Sequence, residues 1–155
     1  MKIAPTLIAL TLLALGATNA QGQYIEQLKE KAEQGDPKAQ YTLGEAYRDG
    51  RGVIENYTQA LHWYRKASMQ GHPAAQVELG LAYALGRGVD QDDQEAYAWM
   101  ILVKATGELN QEGVEHLDGF LEFLRDNYLT PDQLAKAQQR ASELHEQIQA
   151  NTATN

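Results

Sequence analysis

Two stretches of the chain carry the same spacing of small and apolar residues. After Pro37, the residues Ala39, Leu43, Ala46 and Gly50 follow one another at intervals of four, three and four, and after Pro73 so do Ala75, Leu79, Ala82 and Gly86. That spacing is the buried stripe of an amphipathic helix. Each stripe ends in Gly-Arg-Gly-Val, at residues 50–53 and 86–89, and a second apolar run follows. The second runs are rich in aromatics: Tyr57, Ala60, Leu61, Trp63, Tyr64 and Ala67 in one, Tyr97, Trp99, Met100 and Val103 in the other. Gly35-Asp36-Pro37 reads as a helix stop, an N-cap and a first turn, and Gly71-His72-Pro73 repeats it with a weaker cap. Each unit therefore predicts two helices joined by a glycine hinge.

Setting residues 35–70 above 71–106 aligns the units without a gap at a period of 36, with fourteen identical positions. The recurring residues include Gly44/Gly80, Gly50/Gly86, Gly52/Gly88 and Trp63/Trp99. A glycine inside a helix costs about 1 kcal/mol relative to alanine. Incurring that cost twice at one register points to close packing, and Trp63 and Trp99 are expected to fill the space beside Gly44 and Gly80. Gly52 and Gly88 are expected at positive φ. One pair cannot hide its apolar face, whereas stacked pairs can. The pattern predicts an all-α chain, a short right-handed α-solenoid of antiparallel helix pairs.

The flanks fit that frame. Residues 21–34 read as the second helix of a partial preceding unit. In residues 107–150, Val114, Leu117, Leu121, Leu124 and Tyr128 form one stripe and Leu134, Ala137, Ala141, Leu144 and Ile148 another. Thr130-Pro131-Asp132-Gln133 between them is a capping box. These are read as C-terminal capping helices with a polar outer face, and Asn151 to Asn155 as a frayed tail. Residues 1–20 read as a cleavable signal peptide: Lys2, an apolar run from Leu7 to Leu15, and Thr18-Asn19-Ala20 before a cut after Ala20. A periplasmic or secreted location follows as an expectation, with no membrane attachment after cleavage.

The string A-x-A-Q-x-x-L-G-x-x-Y-x-x-G-x-G-V, then A-x-x-W and a glycine boundary, resembles the Sel-one-like repeat, a relative of the tetratricopeptide repeat. The resemblance runs from Gly35 to about Thr106. It implies an adaptor or regulator of exported or envelope complexes that binds a protein or peptide partner. It also implies an alternative, a binder of peptidoglycan or penicillin-type ligands or a weak hydrolase, although members linked to such ligands are cysteine-rich and this chain has no cysteine.

Charge and candidate chemistry narrow the choice. The net charge of −8 and the lack of any basic run argue against nucleic acid. Gly-Arg-Gly follows a helix rather than a strand and precedes no lysine, so it is a turn and not a phosphate loop. His62, His72, His116 and His145 show no metal-ligand spacing, and Asp90, Asp92 and Asp93 lack the glycine and glutamate of a calcium loop. Ser68 and Ser142 stand in no nucleophile motif. No catalytic residue, metal or cofactor is nominated. For binding, a solenoid uses the concave surface lined by its first helices. Outside the core stripe those helices offer Tyr41, Glu45 and Arg48 in one unit and Val77, Leu81 and Ala84 in the other.

Overall fold

The computed structural model describes Ala20 and residues 22–153, so the expected leader lies, but for Ala20, outside the described residues. Among those residues every regular element is helical. They are α1 (residues 22–33), α2 (Pro37–Asp49), α3 (Tyr57–Ser68), α4 (Pro73–Leu85), α5 (Asp93–Thr106), α6 (Gln111–Asn127) and α7 (Pro131–Ala153). α2 pairs with α3 and α4 with α5. α3 also packs on α4, which joins the two pairs into one array.

Short polar side chains set the helix starts. Asp36 Oδ1 accepts from the backbone N–H groups of Lys38 and Ala39 at 2.8 and 3.0 Å. Asn56 and Asp92 do the same for α3 and α5. Thr130 and Gln133 exchange the two bonds of a capping box at the head of α7. The hinges between paired helices need glycine for two separate reasons. Gly52 and Gly88 have φ of 74° and 75°, which a side chain resists. Gly88 also lies so close to α3 that a Cβ would stand 2.7 Å from the backbone carbonyl of Tyr57.

The mid-helix glycines do admit the partner helix, but tryptophan does not fill the space. A Cβ on Gly44 would meet the Tyr64 ring at 2.6 Å, and one on Gly80 would meet Met100 Cε at 2.9 Å. The residue after each tryptophan presses on the glycine. The tryptophans point elsewhere: Trp63 packs with Ile25, Leu28, Ala39 and Leu43, and Trp99 with Leu61, Leu79, Leu102 and Leu144. One helical step separates the two faces, so neighbouring aromatic positions cannot be told apart by periodicity alone.

Successive pairs are tied by a buried amide. Gln40, 4% exposed, donates from Nε2 to the Ala32 carbonyl at 3.0 Å, eight residues back. Gln76, 1% exposed, donates likewise to the Ser68 carbonyl at 3.3 Å. In the first unit Gln70 completes the arrangement by donating to Gln40 Oε1 at 2.8 Å. Its counterpart is Thr106, whose hydroxyl bonds Val103 O, and Gln76 Oε1 finds no partner among the described residues.

α6 and α7 both lean on α5. Leu117, Leu121 and Leu124 of α6 join Tyr97, Met100 and Val103 in one buried cluster, while Val114 is only half-buried and Tyr128 is 50% exposed against Phe123. α7 runs alongside α5, where Arg140 binds Glu95 at 2.6 Å. It then passes beyond α5 to the first pair: Ile148 joins the cluster that contains Leu61, and Asn151 Nδ2 donates to Met69 O at 3.1 Å. The expected fray from Asn151 is thus corrected. The helix continues through Ala153 because Asn151 has a carbonyl to bind and Thr152 Oγ1 bonds Ile148 O.

The two mid-helix glycines should respond differently to alanine. Gly44→Ala gains helix propensity of about 1 kcal/mol but drives a methyl into a stiff buried ring, where overpacking costs about 1–3 kcal/mol. Its thermal midpoint should fall. Gly80→Ala displaces only a flexible methionine and should stay within about 0.5 kcal/mol of the parent. Thermal melts by circular dichroism compare the two, and equal losses would refute the packing account.

Candidate functional site

α2 and α4 lie side by side and present one face outward. The residues expected to line it divide into two groups with different surroundings. Tyr41 stacks on His72 with ring centroids 4.8 Å apart and lies 5.8 Å from the Tyr64 ring. Burial, then the carboxylates of Glu45 and Glu78, push the Tyr41 phenol above its ordinary pKa. Arg48 bridges the helices: its guanidinium binds Glu78 at 2.7 Å and Asp49 at 2.7 Å, with Glu45 at 3.7 Å. Arg51 from the hinge adds to the network at 3.2 Å from Asp49 and 3.8 Å from Glu45. Tyr41, Glu45 and Arg48 therefore occupy the α2–α4 seam and are engaged with their neighbours.

Val77, Leu81 and Ala84 face the other way, toward α5 and α6. Val77 and Leu81 line a groove of about 310 Å³ together with Met100, Leu109, Gly113, His116, Leu117 and Phe120. Apolar atoms dominate its walls. Glu108 and Glu112 are exposed, each one residue before a groove residue, Leu109 and Gly113. Every helix contributes through its register: Val77 and Leu81 are one turn apart on α4, while Gly113, His116, Leu117 and Phe120 share one side of α6.

At the hinge end of the same face, a smaller cavity of about 50 Å³ opens between α2, α3 and α4. Arg48, Tyr57, Tyr64, Glu78, Leu85 and Arg87 are among its lining residues. Tyr64 is 3% exposed and its hydroxyl has no hydrogen-bond partner among the described residues. Burial, followed by the charge of Glu78, raises its pKa well above that of a free phenol. Tyr57 and Leu85 are 38% and 54% exposed at the mouth.

Sequence reasoning did not nominate Tyr57, Glu78, Leu85, Arg87 or the α6 wall of the groove. One signal was available for the first four: where the first unit has Glu45 and Asp49, the second has Leu81 and Leu85. The α6 wall left no such trace, because the period ends before it. Among the described residues no cluster of His, Cys, Asp or Glu is arranged to hold a metal ion. The residues on this face can bind, through apolar contact and through charge, and no nucleophile–base pair lies among them.

These features define an all-α repeat protein of paired antiparallel helices with a C-terminal helix laid along them. Its unit has a Sel1-like repeat fold, related to the tetratricopeptide repeats, and the Sel1 repeat is matched at residues 37–72 and 73–102. A secretory immunoglobulin A-binding protein, EsiB, of Escherichia coli O6:H1 is 46% identical over 57 residues, 37% of this chain and 11% of that protein. A protective antigen of uropathogenic Escherichia coli strains that displays an SLR fold superimposes with a TM-score of 0.72 at 34% identity, over 84% of this chain and 27% of that one. A Sel1 repeat protein from Oxalobacter formigenes gives 0.53 at 36% identity, over 54% and 63%. The chain thus spans 11% of the curated relative, and 27% and 63% of the two solved chains. Proteins of this fold generally mediate protein–protein interactions, and no helix among the described residues is long and apolar enough to cross a membrane.

His72, stacked on Tyr41, ties this face to pH. His72 caps α4, its Nδ1 accepting from Ala75 N–H at 3.3 Å, which requires the neutral ring. Burial lowers its pKa below the ordinary value, and Lys38 lowers it further against the opposing charges of Glu108 and Asp36. A folded pKa below the unfolded one means stability that is complete above about pH 6.5 and is lost as the pH falls below it. His72→Asn keeps a cap without the titration. Its loss of stability between pH 7 and 5 should be smaller than the parent's by about 0.5–1 kcal/mol, the worth of one cap. Urea titrations at the two pH values measure it, and identical pH dependence would remove His72 from this role.

Proposed function

We propose that this protein is an exported, non-catalytic interaction module, an adaptor or regulator of envelope or periplasmic complexes, that holds a protein partner on the face of α2 and α4 and in the adjoining α4–α6 groove. The observation that carries the reading is the groove itself. Val77, Leu81, Leu109 and Phe120 are only half-buried, and they converge with little polar lining on a chain of net charge −8. Contiguous apolar surface of this kind marks a binding site more often than chance exposure. Aromatic and aliphatic anchors in such a groove carry most of the energy of an interface. EsiB, the curated relative, is a binder of secretory immunoglobulin A, which supports a protein as the ligand class.

The division of the face decides which variants test it. Tyr41→Ala or Arg48→Glu would also disturb the α2–α4 seam, so they cannot separate binding from packing. Val77→Gln with Phe120→Gln removes groove anchors at positions that do not line the cavity beside the seam. In crosslinking within the exported compartment, this double variant should lose at least tenfold of the partner recovered by the parent, about 1.4 kcal/mol or more. Glu115→Gln with Glu122→Gln, on exposed positions of α6, should leave recovery unchanged. The reverse pattern would move the docking surface to the acidic face of α6.

Export is tested separately. Cleavage after Ala20 leaves Gln21 as the first residue, and the intact mass of protein from the exported fraction should match residues 21–155. A mass matching residues 1–155 in the membrane pellet would mean an anchored protein instead.

A further inference from the structure

Both walls of the α4–α6 groove are helical. Val77 and Leu81 stand one turn apart on α4, and Gly113 and Phe120 two turns apart on α6. The walls therefore repeat at the helical period, about 6 Å for every four residues. Apolar surface dominates the groove. A chain entering it must satisfy its own backbone N–H and C=O groups, because an apolar wall offers them no partner. An extended segment does this by pairing with a sheet edge, and among the described residues every regular element is helical, so no such edge is present. A helix satisfies those groups internally and buries one stripe of side chains. The groove thus admits a helix more readily than a strand.

Charge separates a foreign helix from a second copy of this chain. Where α6 begins, Glu108 and Glu112 are exposed and make no ion pair among the described residues, whereas Asp118 is held by Lys104 and Asp126 by Arg125. Glu108 lies within electrostatic reach of His72 at the head of α4, and the other charges that reach His72, Lys38 and Asp36, are opposite in sign. The N-termini of α4 and α6 contribute about half a positive charge each, which two carboxylates outweigh. This end of the groove is negative. A second copy would bring its own acidic α6 against it, on a chain of net charge −8.

We propose that the α4–α6 groove takes an amphipathic helix of the partner, with apolar side chains at i, i+4 and i+7 seated among Val77, Leu81 and Phe120, and with lysine or arginine on the turn that meets Glu108 and Glu112. Anchors at that spacing are how an apolar groove reads a helix. The anchors supply the burial, while the basic residue sets the register and turns away acidic segments. The proposal rests on the interaction-module reading and specifies the partner's chemistry.

The test uses the full mature chain in fluorescence anisotropy at about pH 8, above the range in which imidazoles titrate. The parent peptide, Lys-Lys-Ala-Leu-Gln-Ala-Ala-Leu-Gln-Ala-Leu-Gln-Lys-Lys, is labelled with fluorescein and amidated. One version carries glutamine for every lysine. A second carries serine for every leucine, and so measures non-specific attraction of the lysines to an acidic chain. A third carries proline for one central alanine, which breaks the helix. The parent should bind about tenfold or more tightly than the serine and proline versions. It should bind about threefold or more tightly than the glutamine version, the worth of one or two exposed ion pairs, and lose that advantage at about 0.5 M salt. Val77→Gln with Phe120→Gln should weaken the parent peptide about tenfold or more. Glu108→Gln with Glu112→Gln should erase the advantage of lysine over glutamine and keep the proline penalty, whereas Glu30→Gln with Glu33→Gln on α1 should change neither. All six positions are exposed or half-buried, and unchanged melting curves confirm that the fold survives. A proline version that binds as well as the parent, a lysine advantage that survives Glu108→Gln with Glu112→Gln, or no binding of any peptide overturns the proposal. So does sedimentation showing a dimer of the free chain that Val77→Gln with Phe120→Gln dissolves, since a second copy then fills the groove. Loss of the native partner through that same double variant would still uphold the broader reading if the peptides failed, so the two failures are distinct.

Discussion

A glutamine buried in each first helix holds the array together. Gln40 and Gln76 reach back to a carbonyl at the end of the preceding helix, Ala32 or Ser68, which also accepts from the N–H of Gly35 or Gly71. The bond joins one pair to the next at a point where water is excluded. Losing it would strand a buried side-chain amide, at a cost of about 1–3 kcal/mol, while the carbonyl keeps its bond from the Gly35 or Gly71 N–H. Apolar packing can slide by a fraction of an ångström, whereas a directional bond fixes the angle at which each new pair leaves the last. The hinge glycines and the mid-helix glycines then set the geometry inside a pair, and the glutamine sets it between pairs.

Identical joints carry different faces. Positions that set the backbone recur as identical residues, and positions on the outward face do not. The first unit covers its face with an ion-pair network centred on Arg48 and Glu78, while the second unit offers Val77, Leu81, Ala84 and Leu85. Exposed and half-buried ion pairs contribute little to stability, about 0.2–1 kcal/mol each, so this divergence is nearly free of structural constraint. A repeated scaffold thereby leaves one stretch of surface open to become specific. The second unit is also the one whose buried glutamine lacks its second partner, since Thr106 stands where Gln70 would complete it.

Most of the architecture was legible because repetition shows itself in the order of residues alone. Gly35-Asp36-Pro37, the Gly-Arg-Gly hinges and the 3–4 spacing each predict a local event, and the period of 36 makes them agree. Assigning Trp63 and Trp99 to the wrong helix face shows where periodicity stops. It locates a stripe but cannot rank two adjacent large residues at its edge. Of the candidate face, the sequence offered the helices and their outward positions but not how the fold divides them between the seam and the groove. That division depends on Glu78 reaching Arg48 and on α6 standing beside α4, contacts between residues 30 apart or further. Gln40 and Gln76 were visible as identities at a buried phase, and a polar residue kept at such a phase is itself a sign of a hydrogen bond across helices.

The length of α7 has a consequence for how this molecule responds to change. In an ordinary repeat array each unit touches only its neighbours, so units can be added or removed with additive effects. Here the last helix lies along α5 and then fastens to Met69 at the end of the first pair. It works as a tie-rod across two units rather than as an end plate on one. A third unit spliced in ahead of α6 would carry that helix too far from Met69 to close, and the chain would have to give up either the tie or the insertion. The number of units between Met69 and α7 is thereby fixed, and loosening of α7 should spread across both units as a single event.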